Sequence, residues 1–388
     1  MPEKSHMIER SQAKAINEWL GYKKAIFVLG PRQVGKTTLV HQIAHSLGRP
    51  VLWLSGDDED HKRKLGNTSL ARLHSVIGDY DVVVVDEAQR ISNAGLMLKL
   101  ITDQMPHVKL FVTGSSSLDM ASETKESLVG RKIEFMLYPF SFKEMKEHHG
   151  ILSEMAMLEH RMIYGYYPEV IGHDHKRAIE VLTDLTEGLM FKDLFSFEQI
   201  RKSNVLVKLV QAIALQVGSE VNYNELSQLV GADIKTIEKY IDLLEQSFVI
   251  FRLQALSRNA RNELKKGRKI YFYDNGIRNS FIRNFNSLDV RQDTGALWEN
   301  FLVSERLKHN KYTQHHCNTF FWRTTSQQEI DYIEESGGIL AAFEFKWGSG
   351  KRKKFPQSFS EAYPNSTATI IDRENYMDFL GVPWHSLA

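Results

Sequence analysis

The chain has one cysteine, Cys317, among 388 residues, so it can form no internal disulfide and is not expected to be a secreted disulfide scaffold. It holds no apolar run near the roughly twenty residues that a membrane-spanning helix needs, and its first residues carry no apolar signal core. No membrane partner is therefore expected, and the expected location is cytoplasmic. An excess of one charge is also missing. Lys and Arg number 49 against 48 Asp and Glu, a net charge of +1, which excludes a broadly basic or acidic surface and confines any nucleic-acid contact to local patches. Histidines cluster at His148-His149 and at His173 and His175, but no Cys or His stands at a spacing that would complete a zinc site. What is present, 42% hydrophobic and 25% charged residues, is ordinary for a globular chain. The length suits roughly two or three domains, each with its own core.

The organising stretch is Gly30-Pro31-Arg32-Gln33-Val34-Gly35-Lys36-Thr37-Thr38. Apolar residues 25–29 predict a strand before it and residues 37–44 an amphipathic helix after it, which is the setting of a phosphate-binding loop. Glycine lets backbone N–H groups curl around an anion, and the helix N-terminus adds positive partial charge. Residues 30–38 are thus the expected nucleotide-binding segment, with Lys36 reaching the β- and γ-phosphates and the Thr37 hydroxyl ligating Mg2+.

Downstream, four valines precede a carboxylate pair, Val82-Val83-Val84-Val85-Asp86-Glu87. Such a run suits a parallel strand buried on both faces, and its C-terminal end is the edge where open α/β sheets bind ligands. Asp86 is the expected acid beside Mg2+, and Glu87 the residue that polarises an attacking water. A strand over 108–112 ends in Thr113-Gly114-Ser115, where Ser115, with Thr113 next, is expected to sense the γ-phosphate or hold the water. Strands at 51–55 and 132–137, an acidic loop at 56–60 and helices at 8–20 and 94–104 complete a doubly wound α/β domain over residues 1–150.

Residues 151–217 read as a helical linker or lid whose aromatic clusters, Tyr164 to Tyr167 and Phe191 with Phe195, are core packing. Over 218–275 a short helix, a turn at Gly231, a longer helix capped by Asp233 and a strand at 248–253 follow winged-helix syntax. Lys235, Thr236, Lys239 and Tyr240 fall off the apolar stripe and could face DNA; the same helices suit protein contacts equally well. Arg261, Lys265, Lys266 and Arg268, and later Lys351-Arg352-Lys353-Lys354, are the candidate phosphate contacts.

A second candidate site lies in residues 276–388, expected to form a nuclease-like α/β domain. Asp331, twelve intervening residues, then Glu344-Phe345-Lys346 match the D…E-x-K constellation of metal-dependent nucleases. Strand alternation puts Glu344 and Lys346 on one face, so Asp331 and Glu344 could hold Mg2+ while Lys346 activates water. Glu299, on a helix at 296–307, could complete the acidic set.

With these motifs in place the chain resembles, over nearly its whole length, prokaryotic AAA-type ATPases that carry a C-terminal nuclease-like domain of unknown function. The matching stretches include residues 30–38, Val85-Asp86-Glu87-Ala88-Gln89, Thr113-Gly114-Ser115, Gly130-Arg131, Tyr167-Pro168-Glu169, residues 295–300, Glu329-Ile330-Asp331 and Glu344-Phe345-Lys346. The resemblance implies ATP as cofactor with Mg2+, ATP hydrolysis, a winged-helix middle and a restriction-endonuclease-like C-terminal fold. It also implies that Arg131 meets the γ-phosphate. Expected partners are DNA or another nucleic acid, a protein partner, and further copies of the chain as a homo-oligomer. Three functions remain open: an ATP-driven switch or motor on nucleic acid, a nucleotide-gated signalling scaffold, and an ATP-regulated nuclease. The segment between the second strand and Val82 is shortened, and the adenine pocket is not legible.

Overall fold

Alternating apolar runs and amphipathic segments in the first third of the chain fold as their periodicity predicts. The computed structural model describes residues 7–115, 128–190, 203–256, 267–324, 326–348 and 355–382. The chain divides into two units, Met1–Phe140 with Gln246–Phe248, and Ser141–Glu245 with Val249–Ala388. Phe191, Phe195, Arg261, Lys265, Lys266 and residues 351–354 lie outside the described residues. No described helix is long and apolar enough to cross a membrane.

In the first unit, β1 (Ala25–Leu29), β2 (Val51–Ser55), β3 (Val82–Asp86), β4 (Lys109–Gly114) and β5 (Lys132–Met136) form an all-parallel sheet in the order β2-β3-β4-β1-β5. β1 is buried throughout and so are the four valines of β3, as befits strands covered on both faces. Helices α1 (Ser11–Glu18), α2 (Lys36–Ser46), α3 (Glu59–Leu65), α4 (Leu70–Ile77) and α5 (Ala94–Gln104) accompany the sheet. Leu65, Leu73, Ile77, Met97, Leu98 and Ile101 join Phe27, Val83 and Val85 in one core. Each such side chain contributes about 1.5–3 kcal/mol by leaving water. This burial holds helices too short to persist alone. The segment at 56–60 is not simply a loop, because the Asp58 carboxylate accepts from the His61 N–H at 2.9 Å and caps α3.

The strand order positions the site. β4 lies between β1 and β3, so the loop after β1, the carboxylates ending β3 and the hydroxyls ending β4 emerge side by side at one edge.

The second unit starts at the helix Phe142–His149, capped by a reciprocal Ser141–Glu144 box, rather than after residue 150. The Phe142 N–H donates to Glu305 at 2.7 Å and its ring meets Tyr376 edge-on, which ties this helix to the C-terminal half. A seven-stranded sheet runs through the unit in the order β12-β11-β10-β9-β7-β8-β6. Its strands are β6 (Glu220–Val221), β7 (Ile250–Ala255), β8 (Arg268–Phe272), β9 (Asn318–Arg323), β10 (Glu329–Ser336), β11 (Ile339–Phe345) and β12 (Thr367–Ile371). The expected boundary at 275/276 falls inside this sheet. β7 pairs in parallel with β9 at Gln254↔Phe320 and Ala255↔Phe321, so the strands expected to form a separate wing extend the C-terminal sheet. Helices Tyr223–Val230 and Ile234–Gln246 flank the turn at Gly231, whose φ of 70° is the left-handed geometry that glycine adopts cheaply. Tyr240, expected to face outward, is buried in that second helix, and the Thr236 hydroxyl is tied to the capping carboxylate of Asp233 at 2.7 Å.

Candidate nucleotide site

The loop between β1 and α2 owes its path to two glycines. A Cβ on Gly30 would lie 1.9 Å from the Leu137 carbonyl oxygen, so only glycine passes the end of β5 at this distance. Gly35, with φ of 92°, is the N-cap of α2 and offers no capping side chain, which leaves first-turn N–H groups of α2 turned to the loop. Arg10, unremarked in the sequence, braces this arrangement. Its guanidinium donates to the carbonyls of Val34 at 3.3 Å and Tyr138 at 2.5 Å and lies over the Phe140 ring at 4.4 Å.

Lys36 is 5% exposed, and its ammonium donates to the loop carbonyls of Gly30 at 3.0 Å and Pro31 at 2.7 Å. A cation folded onto its own loop in this way can exchange carbonyl oxygens for phosphate oxygens with little rearrangement. The Thr37 hydroxyl faces the Asp86 carboxylate at 3.1 and 3.2 Å, and the Thr113 hydroxyl donates to the same carboxylate. Hydroxyl and carboxylate oxygens are the hard donors that Mg2+ selects, so the residues present fit that ion.

Glu87 sits beside them with φ of 49°, a left-handed conformation that costs a non-glycine residue about 1–2 kcal/mol. Strain of this kind collects where geometry matters to function. Its backbone N–H donates to the Thr113 hydroxyl at 3.2 Å. Its carboxylate accepts from the Ser115 hydroxyl at 3.0 Å and the Gln89 amide at 2.5 Å, and Gln89 also donates to Ser115 at 3.1 Å. The Gln89 carbonyl oxygen is buried without a partner. Ser115, Glu87, Asp86, Thr37 and Lys36 are therefore brought together, while Arg32, Gln33 and Thr38 line the same loop and helix start. Gln89 joins the cluster one 3-10 turn beyond the strand, a position that strand periodicity could not have singled out.

Arg131 is not brought to this cluster. It precedes β5, its carbonyl accepts from the Ala25 N–H at the start of β1, and its guanidinium pairs with Asp103 at 2.5 Å. The loop lies at the other end of β1, roughly 13 Å along the strand. Within its own unit, Arg131 does not meet the γ-phosphate.

The C-terminal acids also depart from expectation. Lys269, 1% exposed, places its ammonium 2.9 Å from Glu299, 2.6 Å from Glu329 and 3.8 Å from Asp331, and Tyr271 donates to Glu299 at 2.6 Å. Burial alone would lower the Lys269 pKa, but Glu299, Asp331 and Glu329 outweigh it and hold it well above the ordinary lysine range. Burial pushes Glu299 up to about 7, against the pull of Lys269 and with the repulsion of Asp331. Glu344 and Lys346 pair with each other at 2.7 Å, and Asp331 accepts from the Phe345 N–H at 2.8 Å. Asp331, Glu344 and Glu299 do not converge as a metal-ligand group among the described residues. A buried lysine, Lys269, stands instead among Glu299, Glu329 and Asp331, a cation where the expected Mg2+ would have to compete. The group that does converge, His315, Cys317 and Glu334, has its carboxylate already engaged by Arg306 at 2.8 and 2.6 Å.

The parallel sheet and its loop have the arrangement of a P-loop domain, and residues 22–146 match the family model of an AAA domain. Residues 155–288 and 294–379 match two domains of unknown function, DUF8612 and DUF4143. An uncharacterized protein of Haemophilus influenzae is 26% identical over 52% of the chain and 51% of its own length. An uncharacterized protein of Mycobacterium bovis is 24% identical over 88% and 74%. The chain thus spans about half of the first relative and about three quarters of the second. Among solved structures, a point mutant of RuvB from Thermotoga maritima is 17% identical over 68% of this chain and 91% of that one, with a TM-score of 0.31, too low to bear on fold or function.

Proposed function

We propose that the chain binds ATP at residues 30–38, hydrolyses it, and uses the cycle to act on nucleic acid. The observation that carries the ATPase reading is the convergence of Lys36, Thr37, Asp86, Glu87 and Ser115 from three adjacent strand ends. First-turn N–H groups of α2 and the Lys36 ammonium hold the β- and γ-phosphates. Thr37 and Asp86 would hold Mg2+, which neutralises charge on the phosphate oxygens when bound. Glu87 accepts a proton from the attacking water, Ser115 and Gln89 aim its carboxylate, and Thr113 orients Asp86 by hydrogen bonding.

Nucleic acid as target is supported by the order β6, two helices, β7 and β8, with β6 pairing to β8, and by the cationic sequence that joins β7 to β8. A protein partner, the signalling alternative, is favoured by Leu215, Leu229 and Ile234, which are 68%, 62% and 41% exposed on neighbouring helices. Cleavage is disfavoured by Lys269. Arg131 could serve only a nucleotide held by a second copy, which makes a homo-oligomer part of this proposal; Arg131→Ala should leave ATP binding intact.

The test is ATP turnover with and without DNA. DNA-stimulated turnover is expected; an unchanged rate with no DNA retained at low salt removes the nucleic-acid half. Lys36→Ala should weaken ATP binding about 100-fold, the loss of charged hydrogen bonds worth about 3 kcal/mol, and unaltered binding overturns the site itself.

A further inference from the structure

Three strands that carry the nucleotide site begin in a second concavity, at the opposite edge of the same sheet. Ala25 opens β1, Val82 opens β3 and Lys109 opens β4, and with the turn after α1 they bound a cavity of about 380 Å3. Volumes of this order lie at the small end of small-molecule sites. Its wall is apolar where Leu47 and Leu110 meet it, and its rim carries Lys23, Lys24, Arg49 and Lys109 with no carboxylate in the lining.

Lys109 is the informative residue. Its ammonium is partly buried and donates to the Tyr22 carbonyl at 2.6 Å and the Trp19 carbonyl at 3.5 Å, yet it has no ion-pair partner among the described residues. Burial pulls its pKa below the ordinary lysine range, with no acid to offset it. Arg49 reaches Asp81 at 3.6 Å, a pair whose side chains are 60% and 47% exposed and which Asp81 makes from outside the lining. Lys24 is spent on the Trp19 ring at 5.5 Å, and Lys23 is exposed at the mouth. A partly desolvated cation held by carbonyls alone, beside two more cations and an apolar wall, favours an anion with an apolar body.

We propose that this cavity binds an organic phosphate of nucleotide size, its phosphate oxygens on Lys109, Arg49 and Lys23 and its body against Leu47 and Leu110. A concavity suits a small molecule, whereas a nucleic-acid backbone requires an extended strip of cations. The site is separate from the phosphate loop and does not depend on ATP hydrolysis there.

The probes are ADP and inorganic pyrophosphate, titrated by calorimetry into the full chain carrying Lys36→Ala. One site is expected to remain, weaker at higher salt, and a further Lys23→Ala with Arg49→Ala should weaken it at least tenfold; both residues are exposed, so folding is not at stake. Lys109→Met should do the same, with an unchanged melting temperature showing that the fold persists. The proposal is overturned if neither probe binds the Lys36→Ala chain, or if the rim substitutions leave the affinity unaltered. It is equally overturned if those substitutions weaken only a single-stranded oligonucleotide, which makes the rim a nucleic-acid contact. Wild type should bind two ADP; a single site sensitive to Lys23 and Arg49 would sink the phosphate-loop reading and leave this one standing.

Discussion

Glu87 works only if its carboxylate is held toward the γ-phosphate, and two side chains do the holding. Glu87→Gln should leave ATP binding intact and lower turnover by about 10²–10⁴-fold, the range for losing a general base. Gln89→Ala keeps the base but frees it, so turnover should fall by about 10- to 100-fold, the loss of a hydrogen bond to a carboxylate, while the dissociation constant for ATP stays put. If Gln89→Ala instead weakens binding and turnover equally, Gln89 shapes the pocket rather than the base. Glu299 yields a prediction of another kind. Its folded pKa of about 7 lies above the ordinary 4.5, so the fold favours the protonated form. That stabilisation is complete below pH 4.5 and is lost as pH rises through about 7, by about 3 kcal/mol at most. Urea midpoints of wild type should therefore decline between pH 4.5 and 8 relative to Glu299→Gln; parallel pH profiles would contradict the buried neutral carboxyl.

At the scale of elements, the loop is a geometric device before it is a chemical one. Gly30→Ala drives a methyl into the Leu137 carbonyl, and relieving that clash must shift β5 or the loop. The variant should lose nucleotide binding and also melt several degrees lower, equivalent to about 1–3 kcal/mol, whereas Lys36→Ala should lose binding alone. A Gly30→Ala chain with wild-type melting temperature and ATP affinity would refute the close approach. This element was legible in sequence because local pattern determines it: strand, glycines, lysine and helix follow one another along the chain. Asp86, Glu87 and Ser115 were legible for the same reason, each ending an apolar run. Arg131 was misplaced because its neighbours in the chain say nothing of which end of a parallel strand it occupies. Lys269 directly follows the cationic stretch that ends at Arg268, and only the pairing of β8 with β7 and β6 turns it inward toward acids thirty or more residues away. The continuity of one sheet across residues 275 and 276 was hidden for a like reason, since a parallel pairing such as β7 with β9 leaves no local signature.

For the whole molecule, two clusters of acids must be told apart by the metal they accept. Thr37 and Asp86 present oxygens to Mg2+ without a competing cation within the pair, whereas Glu299, Glu329 and Asp331 already share Lys269. Displacing a buried ammonium from three carboxylates leaves it unpaired in a low dielectric, a cost of several kcal/mol that a divalent ion must overcome before it gains anything. Chelation with EDTA should therefore abolish ATP turnover and leave the thermal stability of the nucleotide-free chain unchanged. With Mg2+ restored, plasmid should stay intact in wild type and Lys346→Ala alike. Lys269→Ala should acquire Mn2+ binding, detectable by electron paramagnetic resonance in a chain that also carries Asp86→Ala. Cleavage that Lys346→Ala abolishes, or Mn2+ bound by Asp86→Ala with Lys269 in place, would mean that the lysine yields to the metal and that the acids of the second unit form a working nuclease centre.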